Sequence, residues 1–323
     1  MTVALVISVV ATLLAVTLAY LILWVDRWRW EALASVVPCV VWGGACGAAW
    51  GWVIVPTLRT SLTQITEQGP PGVVGAVASL AFMSVLIVAG VAVASRARVF
   101  AGPSDGVVHG FAAGAGFAAV LNISMAVSPM ADRVGPFAAE VLVITGVWSA
   151  WLGLGIGRVK IEGRPGRRAL VIVETLLGGV VSGVPLLGVF PAEALVLAKG
   201  RNVVSVLVPL SCFVGLAGLL VVAWVVERRI IGSVLAAEHS VGVVPERAVR
   251  VVPAFWLRVR RDWWRNQDER RAVNGLLVTL ALRQYRLQQL SASKARIYGL
   301  EVGRLRQRAR EIFSLVETRA RAD

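Results

Sequence analysis

Few ionisable side chains stand inside the long apolar runs of this chain. Each is a candidate for chemistry, because a charge held in an apolar span is costly and is seldom there without a role. They are His109, with Asp105 one turn before it, Glu140 and Glu174; the amide of Asn122 joins them. Histidine and carboxylate groups hold a metal or move a proton when about three of them meet at one depth. An amide is a poor metal ligand, so Asn122 with Glu140 reads first as a hydrogen-bonded pair between helices and second as part of a site. At about 1.5 Å of rise per residue, Asn122 lies roughly 6–9 Å below one surface, with Glu140 at a similar level. His109 and Glu174 share the opposite level. The spacing gives two pairs at opposite ends rather than one four-ligand centre.

The elements that position these groups must be helices. Of the 323 residues 57% are hydrophobic, and the mean hydropathy is +0.74. A bilayer core needs about 20 consecutive apolar residues. Seven runs qualify: about 3–25, 32–55, 73–95, 106–127, 136–157, 169–190 and 204–226. The first lacks a basic segment ahead of it and is too long for a cleavable signal, so it reads as a retained span. The expected fold is all-α. A multi-pass transmembrane bundle of about seven spans occupies residues 1–226, and a basic, helical cytoplasmic tail occupies 227–323. The bundle ends near Val226. QGPPG (68–72) and GRPG (163–166) read as loops between spans, and a further outer loop is expected around Pro191–Asn202.

Charge orients the bundle. Arg27, Arg29, Arg96, Arg98, Arg158, Lys160, Arg164, Arg167 and Arg168 fall in the odd connections, against Arg59, Arg133, Lys199 and Arg201 in the even ones. The positive-inside rule then places the N-terminus outside and the tail in the cytoplasm of a cell membrane. Trp24, Trp28, Trp30, Trp148, Trp151 and Trp224 fall near the inner boundary and Trp50 and Trp52 near the outer one, as an aromatic belt would. The formal charge of +14 is concentrated in the tail. The expected partners are therefore the lipid bilayer and, for the tail, anionic inner-leaflet headgroups. Nucleic acid is disfavoured, since no nucleic-acid motif is present. Arginine far outnumbers lysine, and Ala, Val and Gly abound, which suggests a high-GC bacterial genome.

Small residues recur every fourth position in two of the runs. Gly106, Gly110, Gly114 and Ala118 form one row leading to Asn122; Gly43, Gly47 and Gly51 form another. Such rows let helix backbones approach closely and are read as packing surfaces. Cys39 and Cys46 are too far apart along one helix for a disulfide, and with Cys212 they read as small packing residues. In the tail, Val249, Val252, Trp256, Val259 and Trp263 recur at helical spacing. GLLVTLAL (275–282) is too short to span, and a further basic helix covers about 294–319. These helices either pack on one another, or the first lies in the membrane interface.

The stretch SDGVVHGFAAGAGFAAVLNI (104–123) resembles the central motif of the PrsW-type intramembrane proteases, multi-pass bacterial enzymes related to the CAAX-processing proteases. Asp105-Gly106, Gly110, Gly114, Gly116-Phe117 and Asn122 carry the likeness. RVFAGPSDG (98–106), Arg133, Pro136, Thr145 and the basic tail extend it over roughly residues 75–315, with the PrsW-like core at about 75–226. The resemblance implies peptide-bond hydrolysis through a metal-bound or carboxylate-activated water. The family's catalytic positions are not filled here, however. The adjacent glutamates and lysine expected on the preceding span fall in LAFMSVLIV (80–88), which has no ionisable residue. The Phe-x-x-x-Glu position is Leu121. The histidine positions fall near Glu140 and Glu174, on spans without histidine.

The expectation is a PrsW-like integral membrane protein that has lost proteolysis and binds or regulates a transmembrane partner, such as a single-pass membrane protein. No catalytic set is carried over, no cofactor is expected, and the lean is against an enzyme. One alternative is an active peptidase built on Glu140, Asn122, Glu174 and His109, which would bring in a divalent metal such as zinc. Another is a transporter or channel, weakened by the scarcity of polar residues to line a pore.

Overall fold

The structure, a computed structural model, describes residues 32–50, 70–94, 102–126, 138–196, 201–254, 267–290 and 292–322. Every regular element among them is a helix: α1 (Ala32–Ala49), α2 (Pro70–Ala94), α3 (Pro103–Ala126), α4 (Ala138–Ile161), α5 (Pro165–Val196), α6 (Arg201–Ser240), α7 (Glu246–Val251), α8 (Gln267–Gln289) and α9 (Ala292–Ala322). Among the described residues two segments, Pro103–Ile123 and Val141–Ile161, are long and apolar enough to cross a membrane. The expected first span (3–25), Gly51 and the Trp256–Trp263 part of the tail stripe lie outside the described residues.

Proline starts helices here. α2, α3 and α5 open on Pro70, Pro103 and Pro165. A proline in the first turn costs little, because the donors there have no partner within the helix. At α3 the end is completed by Asp105, whose carboxylate accepts from the Gly102 N–H at 3.2 Å. Glu227 of α6 accepts from the Ser104 N–H at 2.8 Å. Two carboxylates at the positive end of a helix are electrostatically favourable.

α3 is the axis of the bundle. It packs most extensively on α4 and next on α1, and α2, α5 and α6 lie outside that trio. The contacts are backbone to backbone. A methyl group placed on Gly106, Gly110 or Gly114 would overlap the carbonyl oxygen of Gly153, Ser149 or Thr145 on α4. On another side of α3, a methyl on Gly43 or Gly47 of α1 would overlap the carbonyl oxygen of Ala113 or Phe117. The core is filled by large side chains between these seams, with Met83, Ile87, Phe117, Leu121, Leu142, Ile144 and Leu152 at most 1% exposed.

Several expectations need correction. Trp50 and Trp148 do not face outward as belt residues would: they are 2% and 0% exposed. Their rings meet Phe117 at 6.1 and 5.8 Å between centroids. Where helix contacts are lined by glycine and alanine, an indole supplies the missing volume. α6 runs without a break past Val226, where the bundle is expected to end, to Ser240. It stops only where Gly242 adopts φ +69°. There the Gly242 and Val243 N–H groups bond back to the His239 and Glu238 carbonyls, both at 2.9 Å, closing the helix end. α5 likewise runs on to Val196, into the stretch expected as an outer loop; Ala192, Glu193, Ala194 and Leu195 are all good helix formers.

Beyond Val226 the chain builds a second core. Ile230, Ile231, Val234 and Leu235 of α6 pack with Val252, with Leu277, Leu280 and Ala281 of α8, and with Val302, Ala309 and Phe313 of α9. GLLVTLAL is thus the buried stripe of α8. The described helices of the tail pack on one another and on α6; the tryptophans on which the second arrangement depends lie outside the described residues. Arg306 grips the buried Glu238 with two hydrogen bonds, at 2.8 and 2.5 Å. Those bonds raise the Arg306 pKa above its ordinary value.

Candidate functional site

Asp105, His109 and Asn122 all lie on α3 and are buried, at 7%, 3% and 2% exposure. The helix fixes their separation. Asp105 and His109 are one turn apart at its beginning, whereas Asn122 lies near its end. The His109 Nδ1–H donates to the Asp105 carbonyl at 2.7 Å, a bond within the same helix. Glu140 sits in the first turn of α4, level with the end of α3 that carries Asn122; its side chain lies outside the described residues.

Glu174, on α5, pairs with an arginine of α4. Its carboxylate lies 2.9 Å from Arg158 of α4, with side chains 46% and 35% exposed. The pair joins the outer side of α5 to the end of α4, while His109 is enclosed. Two threonine hydroxyls inside the bundle are committed locally, whereas those of Ser84 on α2 and Ser149 on α4, both 0% exposed, have no hydrogen-bond partner among the described residues. Thr145 donates to the Val141 and Leu142 carbonyls at 2.7 and 3.1 Å. Thr175 donates to the Val171 carbonyl at 2.6 Å. A hydroxyl satisfied by its own preceding turn is not poised as a nucleophile.

Leu121 stands beside Asn122, and it is 1% exposed. Met83 and Ile87, from LAFMSVLIV, belong to the same apolar core as Leu121, Leu142 and Ile144. Among the described residues no three His, Cys, Asp or Glu side chains are grouped as a metal centre would require. On the same three helices Ser84, Asn122, Thr145 and Ser149 are buried polar residues, at most 2% exposed.

A different polar cluster escaped the sequence reading. The tail folds back on the α4–α5 connection, where the Gly163 N–H donates to Gln289 Oε1 at 2.9 Å. Between the two lies a cavity of about 300 Å³ lined by Gly163, Pro165, Arg168, Arg286, Leu290, Lys294 and Tyr298. Arg168 and Arg286 are 118 positions apart in the sequence, and no local periodicity links them; the arginines of GRPGRR and the tail were the only visible signal.

The chain matches no family model, no curated protein and no solved structure.

Proposed function

We propose that the chain is a multi-pass integral membrane protein of about seven spans, N-terminus outside and tail in the cytoplasm, that binds a transmembrane partner without cutting it. The observation that carries this reading is the distribution of apolar side chains. Around the buried α3–α4 pair, the outer helices turn large apolar groups outward: Val41 on α1, Phe82 and Val85 on α2, Leu177 and Val181 on α5, Val221 and Val222 on α6. Val181 is 71% exposed and Val41 66%. A water-soluble protein rarely leaves so extended an apolar surface uncovered, whereas lipid and the flank of another helix both suit it. The charged groups of the tail end suit the cytoplasmic leaflet.

The likeness to PrsW-type proteases supports a helix-binding scaffold, and a buried leucine at position 121, 1% exposed within an apolar cluster, supplies no carboxylate for hydrolysis there. Function is decided by the site rather than by the scaffold. The test is a photo-crosslinking amino acid placed at Leu177, Val181 or Val221 in native membranes. The reading expects adducts with an intact membrane protein from at least one position. Adducts with a shortened partner, lost on Glu140→Gln, would favour the peptidase alternative. Adducts with lipid alone at every position would remove the partner.

A further inference from the structure

We propose that the cavity between the α4–α5 connection and the ends of α8 and α9 binds a phosphate group. Three cations line it: Arg168 from the first turn of α5, Arg286 from the last turn of α8, and Lys294 from the first turn of α9. The Nε atoms of Arg168 and Arg286 are shielded from solvent and have no hydrogen-bond acceptor among the described residues. A buried guanidinium N–H without an acceptor is costly, and a ligand oxygen would relieve two such donors at once.

The nearby carboxylates are already occupied. Glu301 pairs with Arg283 at 3.0 Å. Glu162 accepts from the Arg164 N–H at 3.2 Å and lies 4.0 Å from Arg167. Neither reaches Arg168 or Arg286 as an ion pair. Arg286 is held in place by stacking, its guanidinium 4.6 Å from the centre of the Tyr298 ring. Burial pushes the Arg286 pKa down, and the charges of Arg168 and Arg283 add to that, while Tyr298 and Glu301 act against it. Like charges converge on a space large enough for a phosphate and a small substituent.

Two sources could supply that group. α4 ends at Ile161, close before the cavity wall at Gly163, so under the membrane reading a lipid headgroup lies within reach. A free phosphate or small phosphate ester from the aqueous phase has the same chemistry and does not depend on that reading.

The experiment uses the full chain. In neutral detergent, inorganic phosphate is titrated at constant ionic strength against chloride while the thermal midpoint is followed. In parallel, the chain is placed in phosphatidylcholine nanodiscs with and without phosphatidic acid. Binding to the folded state raises the midpoint. The expected result is a rise with one of the two probes that is absent in chloride or in pure phosphatidylcholine. Arg168→Gln and Arg286→Gln should each weaken the response about tenfold, as loss of a charge-assisted bond does. Lys294→Ala, at an exposed position, should weaken it without harming the fold, and so keeps the test decisive if an arginine variant unfolds. A response in micelles identifies the soluble source; one confined to phosphatidic acid identifies the lipid. No response to either probe, or an equal response in wild type and Lys294→Ala, overturns the proposal.

Discussion

Gly110→Ala tests the packing that organises the bundle. A Cβ on Gly110 would lie 2.9 Å from the Ser149 carbonyl carbon and 3.0 Å from Gly153 Cα, and nearer still to the Ser149 oxygen. Normal carbon contacts begin near 3.4 Å. The atoms in the way are backbone, so no rotamer change relieves the overlap, and α3 must part from α4. A gap of about 0.5–1 Å forfeits a quarter to a half of the dispersion energy at the contact. Overpacking costs about 1–3 kcal/mol, and a backbone-to-backbone clash belongs at the upper end. Alanine returns about 1 kcal/mol through its better helix propensity, leaving a net loss of about 2 kcal/mol. At about 2 °C per kcal/mol, the midpoint in detergent, followed by circular dichroism, should fall by about 4 °C. Gly303→Ala on α9, where a Cβ meets nothing within 4 Å, should instead raise it by about 2 °C. An equal rise from both substitutions would refute the close approach of α3 and α4.

Other consequences follow from the same geometry. Trp148→Ala empties the space against Phe117 and should cost about 3–5 kcal/mol in thermal or denaturant unfolding. Arg306→Leu leaves the Glu238 carboxylate enclosed and unpaired; it should cost about 2–3 kcal/mol after allowance for the partly exposed arginine, and Glu238→Leu with Arg306→Leu should cost less than Arg306→Leu alone. Because folding raises the Arg306 pKa, the arginine's contribution is complete below the unfolded guanidinium value and is lost only as pH rises through the folded one. Arg306 should therefore add no pH dependence to stability across the neutral range. Arg158→Gln should change stability by less than about 1 kcal/mol, since both members of its pair with Glu174 are substantially exposed.

The helices from α1 to α6 were legible because apolar runs between loop signals are long-range in extent but local in origin. The glycine rows were visible as a spacing, but spacing does not say which neighbour they meet. Gly106 and Gly110 face α4, whereas Gly116 of the same helix presses against Val40 of α1. Trp148 misled because an indole near the end of an apolar run has the same sequence signature whether it lies in a belt or a core. Glu174 was read by depth alone, and depth does not show its partner, Arg158 of α4, which depends on the rotation of α5. The basic cavity was illegible for a related reason: Arg168 and Arg286 meet only through the fold of the tail.

The placement of the apolar outer faces in lipid is tested most directly by nitroxide accessibility in liposomes. Labels at Phe82, Leu177, Val181 and Val221 report on α2, α5 and α6, and a label at Leu300, exposed on α9, gives the aqueous reference. Membrane embedding predicts strong relaxation by oxygen and little by an aqueous nickel chelate at the first four sites, with the reverse at Leu300. Free access of the chelate to Leu177, Val181 and Val221 would contradict it.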